Sequence, residues 1–317
     1  MKAAVCDRYG PPEVLRIEDV AKPRPAKGEV LVRVRASTVS AGDVRLRLAS
    51  PFFVRAIFGL FRPGFRTPGM AFAGTVEEVG RDATGYRVGD TVFGSTGLKF
   101  RANAEYACAP VGLVAAKPAN ASFGEAAAIV FGGASALHFL KRANIQRDQR
   151  VLIYGASGSV GSAMVQLAKH FGAHVTGVCS TANLELVRSI GADAVIDYTK
   201  EDFSRTGARY GIVVDAVGKA RAGQMLRAVN RGGVCVFVAS TLSGYVAVKL
   251  RAALSGRATI VGGVARTKPG DLDFFKRLVE MGAFRPVIDR VFPLDEIVAA
   301  HRYAQTGRVK GNVVIEI

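Results

Sequence analysis

The sequence has no tryptophan and only four cysteines in 317 residues. Cys6, Cys108, Cys179 and Cys235 stand far apart, with no CxxC pair. That spacing provides neither the clustered ligands of a structural zinc site nor the disulfide framework of a small secreted domain. Without tryptophan there is no indole for base stacking or for a membrane belt. Histidine is equally sparse: His138, His170, His174 and His301 form no short ligand spacing, and none is assigned a catalytic role. No run approaches ~18 consecutive apolar residues, so no membrane-spanning helix is expected. Met1 leads directly into a strand-like segment, so no signal peptide is expected and a cytoplasmic location is.

Acidic residues are also scarce. There are 26 Asp and Glu against 43 Lys and Arg, a net charge of +17. Such an excess invites a nucleic-acid reading, because clustered Lys and Arg draw phosphate by counterion release. Here the basic residues are spread along the chain, densest over 45–66, with no RNA-binding signature and no zinc-finger spacing. An Arg-rich solvated surface is expected, with nucleic-acid binding weak and non-specific. Attraction of an anionic cofactor would be a by-product.

Three hundred residues suffice for two domains. The first third is a series of short β-type runs (1–6, 29–39 with Val/Arg alternation, 74–79 and 90–93), punctuated by Pro11-Pro12 and Gly89-Asp90. From about residue 120 the pattern changes. Residues 122–142 read as helix, and strand-length apolar runs at 150–154, 174–179, 194–197, 212–217 and 233–239 then alternate with helical stretches such as 160–171 and 184–190. This alternation predicts an α/β fold with a parallel sheet covered on both faces. Helices are expected at 272–281 and 294–306 and a strand at 312–317. The expected organisation is a doubly wound dinucleotide-binding domain over 120–261, inserted in a mostly-β substrate domain formed by 1–119 and 262–317.

The strongest signal is the turn Gly155-Ala-Ser157-Gly158-Ser159-Val160-Gly161, with a strand before it and an amphipathic helix after. A helix N-terminus offers free N–H groups and a partial positive charge, and glycine lets a pyrophosphate come close. In this reading Gly155 makes the turn, Gly158 permits the approach and Gly161 lets the helix pack on the sheet. The following strand selects the cofactor. An NAD site usually places Asp or Glu about 20 residues on, for the ribose 2′-hydroxyl. Here the strand ends Val178-Cys179-Ser180-Thr181-Ala182-Asn183, and the first acid along the chain is Glu185. A 2′-phosphate can sit among Ser180, Thr181 and Asn183, with Arg188 and Lys200 as candidate added charge. NADP(H) is the expected cofactor.

Several motifs recur in order along nearly the whole chain: Met1-Lys-Ala-Ala-Val, Tyr9-Gly-Pro-Pro-Glu-Val-Leu, Ala73-Gly-Thr-Val-Glu-Glu-Val-Gly80, Val88-Gly-Asp-Thr-Val-Phe-Gly94, the glycine turn, Gly191-Ala-Asp-Ala-Val-Ile-Asp-Tyr198 and Lys310-Gly-Asn-Val-Val-Ile315. In these the chain resembles the medium-chain dehydrogenase/reductase superfamily, specifically its zinc-less quinone oxidoreductase branch. The resemblance implies a discontinuous GroES-like catalytic domain, a Rossmann domain, and hydride transfer from NADPH to a small apolar quinone or an α,β-unsaturated carbonyl. It also implies that Tyr198 reaches the 2′-phosphate, that Lys310 and Asn312 contact the cofactor, and that Ser135 of Gly132-Gly-Ala-Ser135 touches it. A homodimer is the expected assembly. Zinc-using relatives place their catalytic ligands at positions matching Ser40, Met70 and Phe131, and Met and Phe cannot serve as zinc's His and Cys. No metal is expected.

Two positions depart from the branch's pattern: Ser40 where Asn is usual, and Ala71 where an acid is usual. Without metal or flavin, the oxyanion that develops on hydride transfer needs hydrogen-bond donors. Ser40, Arg45 and Ser135 are the candidate catalytic residues. The alternatives are that Ser40 caps a turn, Arg45 is solvated and Ser135 bonds within its helix. Asp43 is read as structural, with orientation of Arg45 or Arg47 as the alternative. Over 51–66 aromatics recur at helical spacing with Arg between them, which predicts a helix that packs on the domain, lids an apolar substrate, or rests transiently on a membrane surface. Two other functions remain open: reduction of enoyl thioesters, and a cofactor-binding protein with a nucleic-acid or structural role.

Overall fold

The computed structural model describes residues 1–50, 54–239, 245, 248–250, 252 and 256–317. The chain divides into two units, Met1–Phe131 with Lys268–Ile317, and Gly132–Thr267.

In the first unit β1 (Lys2–Cys6) and β2 (Leu15–Asp19) form an antiparallel ribbon. The Val/Arg alternation becomes β3 (Glu29–Val39), which buries Val30, Val32 and Val34 and leaves Arg33 and Arg35 exposed. β4 (Ala71–Val79) starts three residues earlier than the sequence suggests, because Ala71 to Ala73 pair with β5 (Thr91–Ser95), and Phe72 and Ala73 also pair with β3. Asp90 falls outside β5. Its carboxylate accepts the Arg87 N–H at 2.8 Å and closes the turn before the strand. β6 (Tyr106–Pro110) pairs with β3, and β7 (Val114–Ala116) with β5.

Two helices lie between β3 and β4, α1 (Ala41–Leu48) and the short α2 (Val54–Phe58). The helix expected over 51–66 is corrected. Its first residues, 51–53, lie outside the described residues, and α2 stops at Gly59, whose φ of +119° is left-handed. Phe58 then turns inward against Phe65 and Phe100, with centroids 6.1 and 5.7 Å away. Further along, α3 (Phe123–Arg142) opens on a capping box in which Ser122 and Glu125 bond reciprocally. The unit division falls inside this helix. By length and mean hydropathy (1.4) α3 could cross a bilayer, contrary to the sequence expectation, but 72% of the apolar window is buried inside the protein. That burial marks a core helix.

In the second unit β8 (Arg150–Tyr154), β9 (His174–Cys179), β10 (Ala194–Asp197), β11 (Tyr210–Asp215), β12 (Val229–Phe237) and β13 (Ala258–Gly262) form one parallel sheet in the order β10-β9-β8-β11-β12-β13. With α4 (Ser159–His170), α5 (Leu184–Ser189) and α6 (Ala222–Ala228) this is the doubly wound architecture predicted from the alternating runs. The order reverses beside β8, and such a sheet binds ligands outside the carboxyl ends of its strands at that point. β11 ends at Asp215, two residues before the expected limit, because the Asp215 carboxylate turns back to accept N–H groups from Val217, Gly218 and Ala220.

The tail completes the first unit. After α7 (Asp271–Glu280), β14 (Ile288–Pro293) and α8 (Ile297–Gln305), β15 (Asn312–Glu316) inserts between β14 and β3, pairing Val313 with Val39.

Candidate functional site

The turn after β8 shows which of its glycines the protein itself requires. Gly155 has φ +82°, and its N–H and that of Ala156 both donate to the Val178 carbonyl, at 2.9 and 3.1 Å. A Cβ on Gly161 would lie 2.0 Å from the Gly155 carbonyl oxygen, so α4 can rest on the turn only without a side chain there. In α3, a Cβ on Gly132 would meet the Ser159 hydroxyl at 2.5 Å. Gly158 differs from all of these. Its backbone is extended (φ −81°, ψ 177°), and an added Cβ would meet nothing closer than the Gly155 oxygen at 3.7 Å. Nothing in the packing asks for glycine at 158, and the absence of a side chain there leaves the approach to the α4 N-terminus open. At that N-terminus the first N–H groups, among them those of Ser159, Val160 and Gly161, have no intrahelical acceptor and point outward, suiting an anion. A dinucleotide pyrophosphate fits this cradle.

The end of β9 is latched to the turn. Asn183 donates to the Ser157 hydroxyl at 3.0 Å, while its own Oδ1 is buried with no hydrogen-bond partner among the described residues. Ser180 and Thr181 open the short 3₁₀ turn that follows β9. Tyr198 is half exposed with its ring 6.0 Å from Tyr154. Arg188 pairs with Glu185 on its own helix.

Sequence reading missed Asp197. Parallel pairing sets Asp197 opposite Cys179, so a carboxylate stands beside the end of β9 although none follows in the chain before Glu185. It accepts from the Thr181 hydroxyl and, at 2.7 and 3.0 Å, from the hydroxyl and N–H of Thr199. Those bonds, that of Thr181 first, hold its pKa below the usual aspartate range. The available signal was the strand register: the Ala-Val-Ile-Asp run had to lie parallel to His174–Cys179.

In the first unit, Ser40 caps α1. Its hydroxyl accepts the Asp43 N–H at 3.2 Å and lies 2.6 Å from Asp43 Oδ2, which also accepts the Ser40 N–H at 2.8 Å. Asp43 is buried, which raises its pKa, and its bonds to Ser40 oppose that shift. Asp43 therefore has the structural role read from the sequence, closing the cap with Ser40, and the alternative of orienting Arg45 or Arg47 is not taken up. Arg45 is exposed. Arg47 is fully buried, donating to the Gly10 carbonyl, to Gln305 Oε1 at 2.6 Å and to His301 Nδ1 at 3.4 Å. Phe131 lies beside Gly42, where an added Cβ would be 3.3 Å from its ring, and the Met70 carbonyl accepts the Thr96 N–H. Among the described residues no group of three or more His, Cys, Asp or Glu could hold a metal ion.

Ser135 is buried on α3 in the second unit. Lys310 and Asn312 belong to the first, where the Lys310 N–H donates to Asp289 and the Asn312 side chain to the Val287 carbonyl. The second unit thus brings together Gly155, Ser157, Gly158, Ser159, Val160, Gly161, Ser180, Thr181, Asn183 and Tyr198, whereas Ser40, Arg45, Lys310 and Asn312 stand in the other.

Two family models match the chain: an alcohol dehydrogenase GroES-like domain over residues 26–141 and a zinc-binding dehydrogenase over residues 190–315. The 2-methylene-furan-3-one reductase of Solanum lycopersicum is 35% identical over 99% of this chain and 79% of its own length. The NADPH-dependent alkenal/one oxidoreductase of Arabidopsis thaliana is 32% identical, with the same coverage of each chain. The structure of the quinone oxidoreductase from Coxiella burnetii superposes with a TM-score of 0.91 at 30% identity, covering 100% of this chain and 99% of that one. With these relatives matched nearly end to end, the glycine turn in place and the parallel sheet ordered around it, the chain belongs to the medium-chain dehydrogenase/reductase superfamily, in its quinone oxidoreductase branch.

Proposed function

We propose that this chain is an NADP(H)-dependent oxidoreductase that reduces a small apolar quinone or an α,β-unsaturated carbonyl without a metal ion. The observation that carries the reading is Gly158, a glycine the protein's own packing does not require, at the mouth of a helix N-terminus. The relatives named above as enone, alkenal and quinone reductases support the substrate class.

When bound, the nicotinamide would supply hydride; the chain's residues do the rest. The glycine turn and the α4 N–H groups would hold the pyrophosphate, and Ser180 and Tyr198 would border the ribose. Ser40, Met70 and Phe131 offer no ligand set for zinc, so charge developing on the substrate oxygen is met by hydrogen-bond donors. Ser40 can aim its proton outward only while Asp43 is protonated, a state that burial of Asp43 favours.

Purified protein should consume NADPH with quinones or enones, bind NADPH more tightly than NADH, and keep its activity after strong chelation. Activity lost to chelator and restored by zinc would overturn the metal-free reading. Equal turnover of enoyl thioesters would redirect the substrate class.

We also propose that the segment from α2 to Phe65 borders the substrate entrance, because it carries apolar side chains that the fold leaves exposed. Phe58 and Phe65 root it on Phe100, whereas Phe61 is 88% exposed and Ile57 66%. Phe61→Ser should raise KM for bulky apolar quinones several-fold more than for a small enone, with Tm unchanged. Equal effects on large and small substrates would remove the segment from the entrance.

A further inference from the structure

Asp197 stands where β9 and β10 deliver their carboxyl ends side by side. It is 7% exposed. Oδ2 takes the Thr181 hydroxyl, and Oδ1 takes the hydroxyl and N–H of Thr199. The Lys200 ammonium lies 3.9 Å from Oδ2 and is itself mostly in solvent, so it offsets the carboxylate's charge only in part.

An acid that recognises ribose in this kind of fold reaches out from the end of the second strand. Asp197 cannot do so. It lies on the next strand, turned inward, with both oxygens engaged by the two threonines. We propose that Asp197 instead limits how strongly the chain prefers NADPH to NADH, by committing the Thr181 proton inward and by setting a negative charge behind the position a 2′-phosphate would take. The inference rests on reading the glycine turn as a nicotinamide dinucleotide site.

The polarity follows from what each group can donate. An ionised carboxylate only accepts, so Thr181 must donate to it and turn its lone pairs outward. Thr199 is fixed in the same sense, with its hydroxyl oxygen 3.2 Å from that of Thr181. A phosphate arriving here meets oxygen lone pairs in front of a buried anion. A ribose 2′-hydroxyl has a proton of its own to give to those lone pairs, so NADH loses nothing.

Asp197→Asn separates this role from a structural one. Asn Oδ1 still accepts both groups of Thr199, while Nδ2 donates to Thr181 Oγ1 and leaves that hydroxyl's proton free to point outward. The turn stays tied and the charge is gone. Calorimetric titration should then show the NADPH Kd falling at least tenfold and the NADH Kd moving less than twofold, with Tm nearly unchanged. Adding Thr181→Val to Asp197→Asn should remove most of the gain. An unchanged NADPH-to-NADH ratio, or equal loss of both cofactors, would overturn the proposal and leave Asp197 as a clasp only. A gain that fully survives Thr181→Val would overturn the part assigned to the hydroxyl. If the unmodified chain binds neither dinucleotide, the reading of the turn itself fails, a result distinct from an unchanged ratio.

Discussion

Gly158→Ala should weaken NADPH binding at least a hundredfold, about 2.7 kcal/mol, while leaving the fold intact. The backbone at 158 suits any residue, and the new methyl group meets no protein atom closer than 3.7 Å. The position is the N-cap of α4, where exchanging glycine for alanine costs below ~1 kcal/mol. The methyl group would fill the space facing the first N–H groups of the helix. Gly161→Ala makes the contrasting case. Its Cβ would sit 2.0 Å from the Gly155 carbonyl oxygen, so the backbone must move, and both Tm and NADPH affinity should fall. Calorimetry and thermal unfolding of the two variants distinguish a ligand-facing glycine from a packing glycine. If Gly158→Ala binds NADPH normally, the space in front of α4 has no bearing on the cofactor.

Acid should weaken the fold through His301. This histidine is fully buried and accepts from Arg47 at Nδ1, which holds it neutral. Burial first, and the Arg47 charge second, lower its pKa to about 3. An unfolded chain protonates histidine near pH 6.5. Above that pH neither state binds the proton and His301 adds no pH dependence. Between about pH 6.5 and pH 3 the unfolded state binds a proton that the folded state refuses, so stability falls by up to ~1.4 kcal/mol per unit as pH drops. By pH 4.5 that amounts to roughly 2.7 kcal/mol. His301→Gln can keep an acceptor for Arg47 and does not titrate. In urea unfolding at pH 7 and pH 4.5 the variant should lose correspondingly less stability than the unmodified protein. Asp43, whose raised pKa works in the opposite sense, is common to both proteins and cancels in the comparison. Parallel declines in the two proteins would exclude His301 as a source of the acid sensitivity.

Local signals carried the glycine turn. The spacing from Gly155 to Gly161, with a strand before and a helix after, is fixed by residues close in sequence, and the structure keeps it. The Ser40 to Asp43 spacing was equally local. It is a capping signal, in line with the structural role read for Asp43 and the turn-capping alternative read for Ser40, whereas burial of the pair is not visible in a string of letters. Arg47 shows the same difficulty: an arginine reads as surface, and only the meeting of α1 with α8 and the Gly10 turn encloses it. Asp197 required the register of two parallel strands, which depends on how α5 returns the chain. Over 51–66 the aromatic spacing suggested a longer helix, but Gly59 and Pro63 act locally to end it, and the inward pull of Phe58 on Phe100 fixes the rest.

The insertion of β15 between β14 and β3 has a consequence for synthesis. β3 to β7 are made before the inserted unit, yet their sheet lacks one of its inner members until β15, which follows that unit in the chain, has been made. Residues 132–267 are complete well before that, and domains generally fold as units during translation. The order of folding is then expected to reverse the order of the two units in the chain: the inserted unit closes first, while the other sheet waits with Ala36 to Val39 of β3 unpaired. A chain stopped before β15 would leave Ala36 to Val39 of β3 unpaired beside the stretch that β6 covers, a short open edge of the kind that recruits other strands.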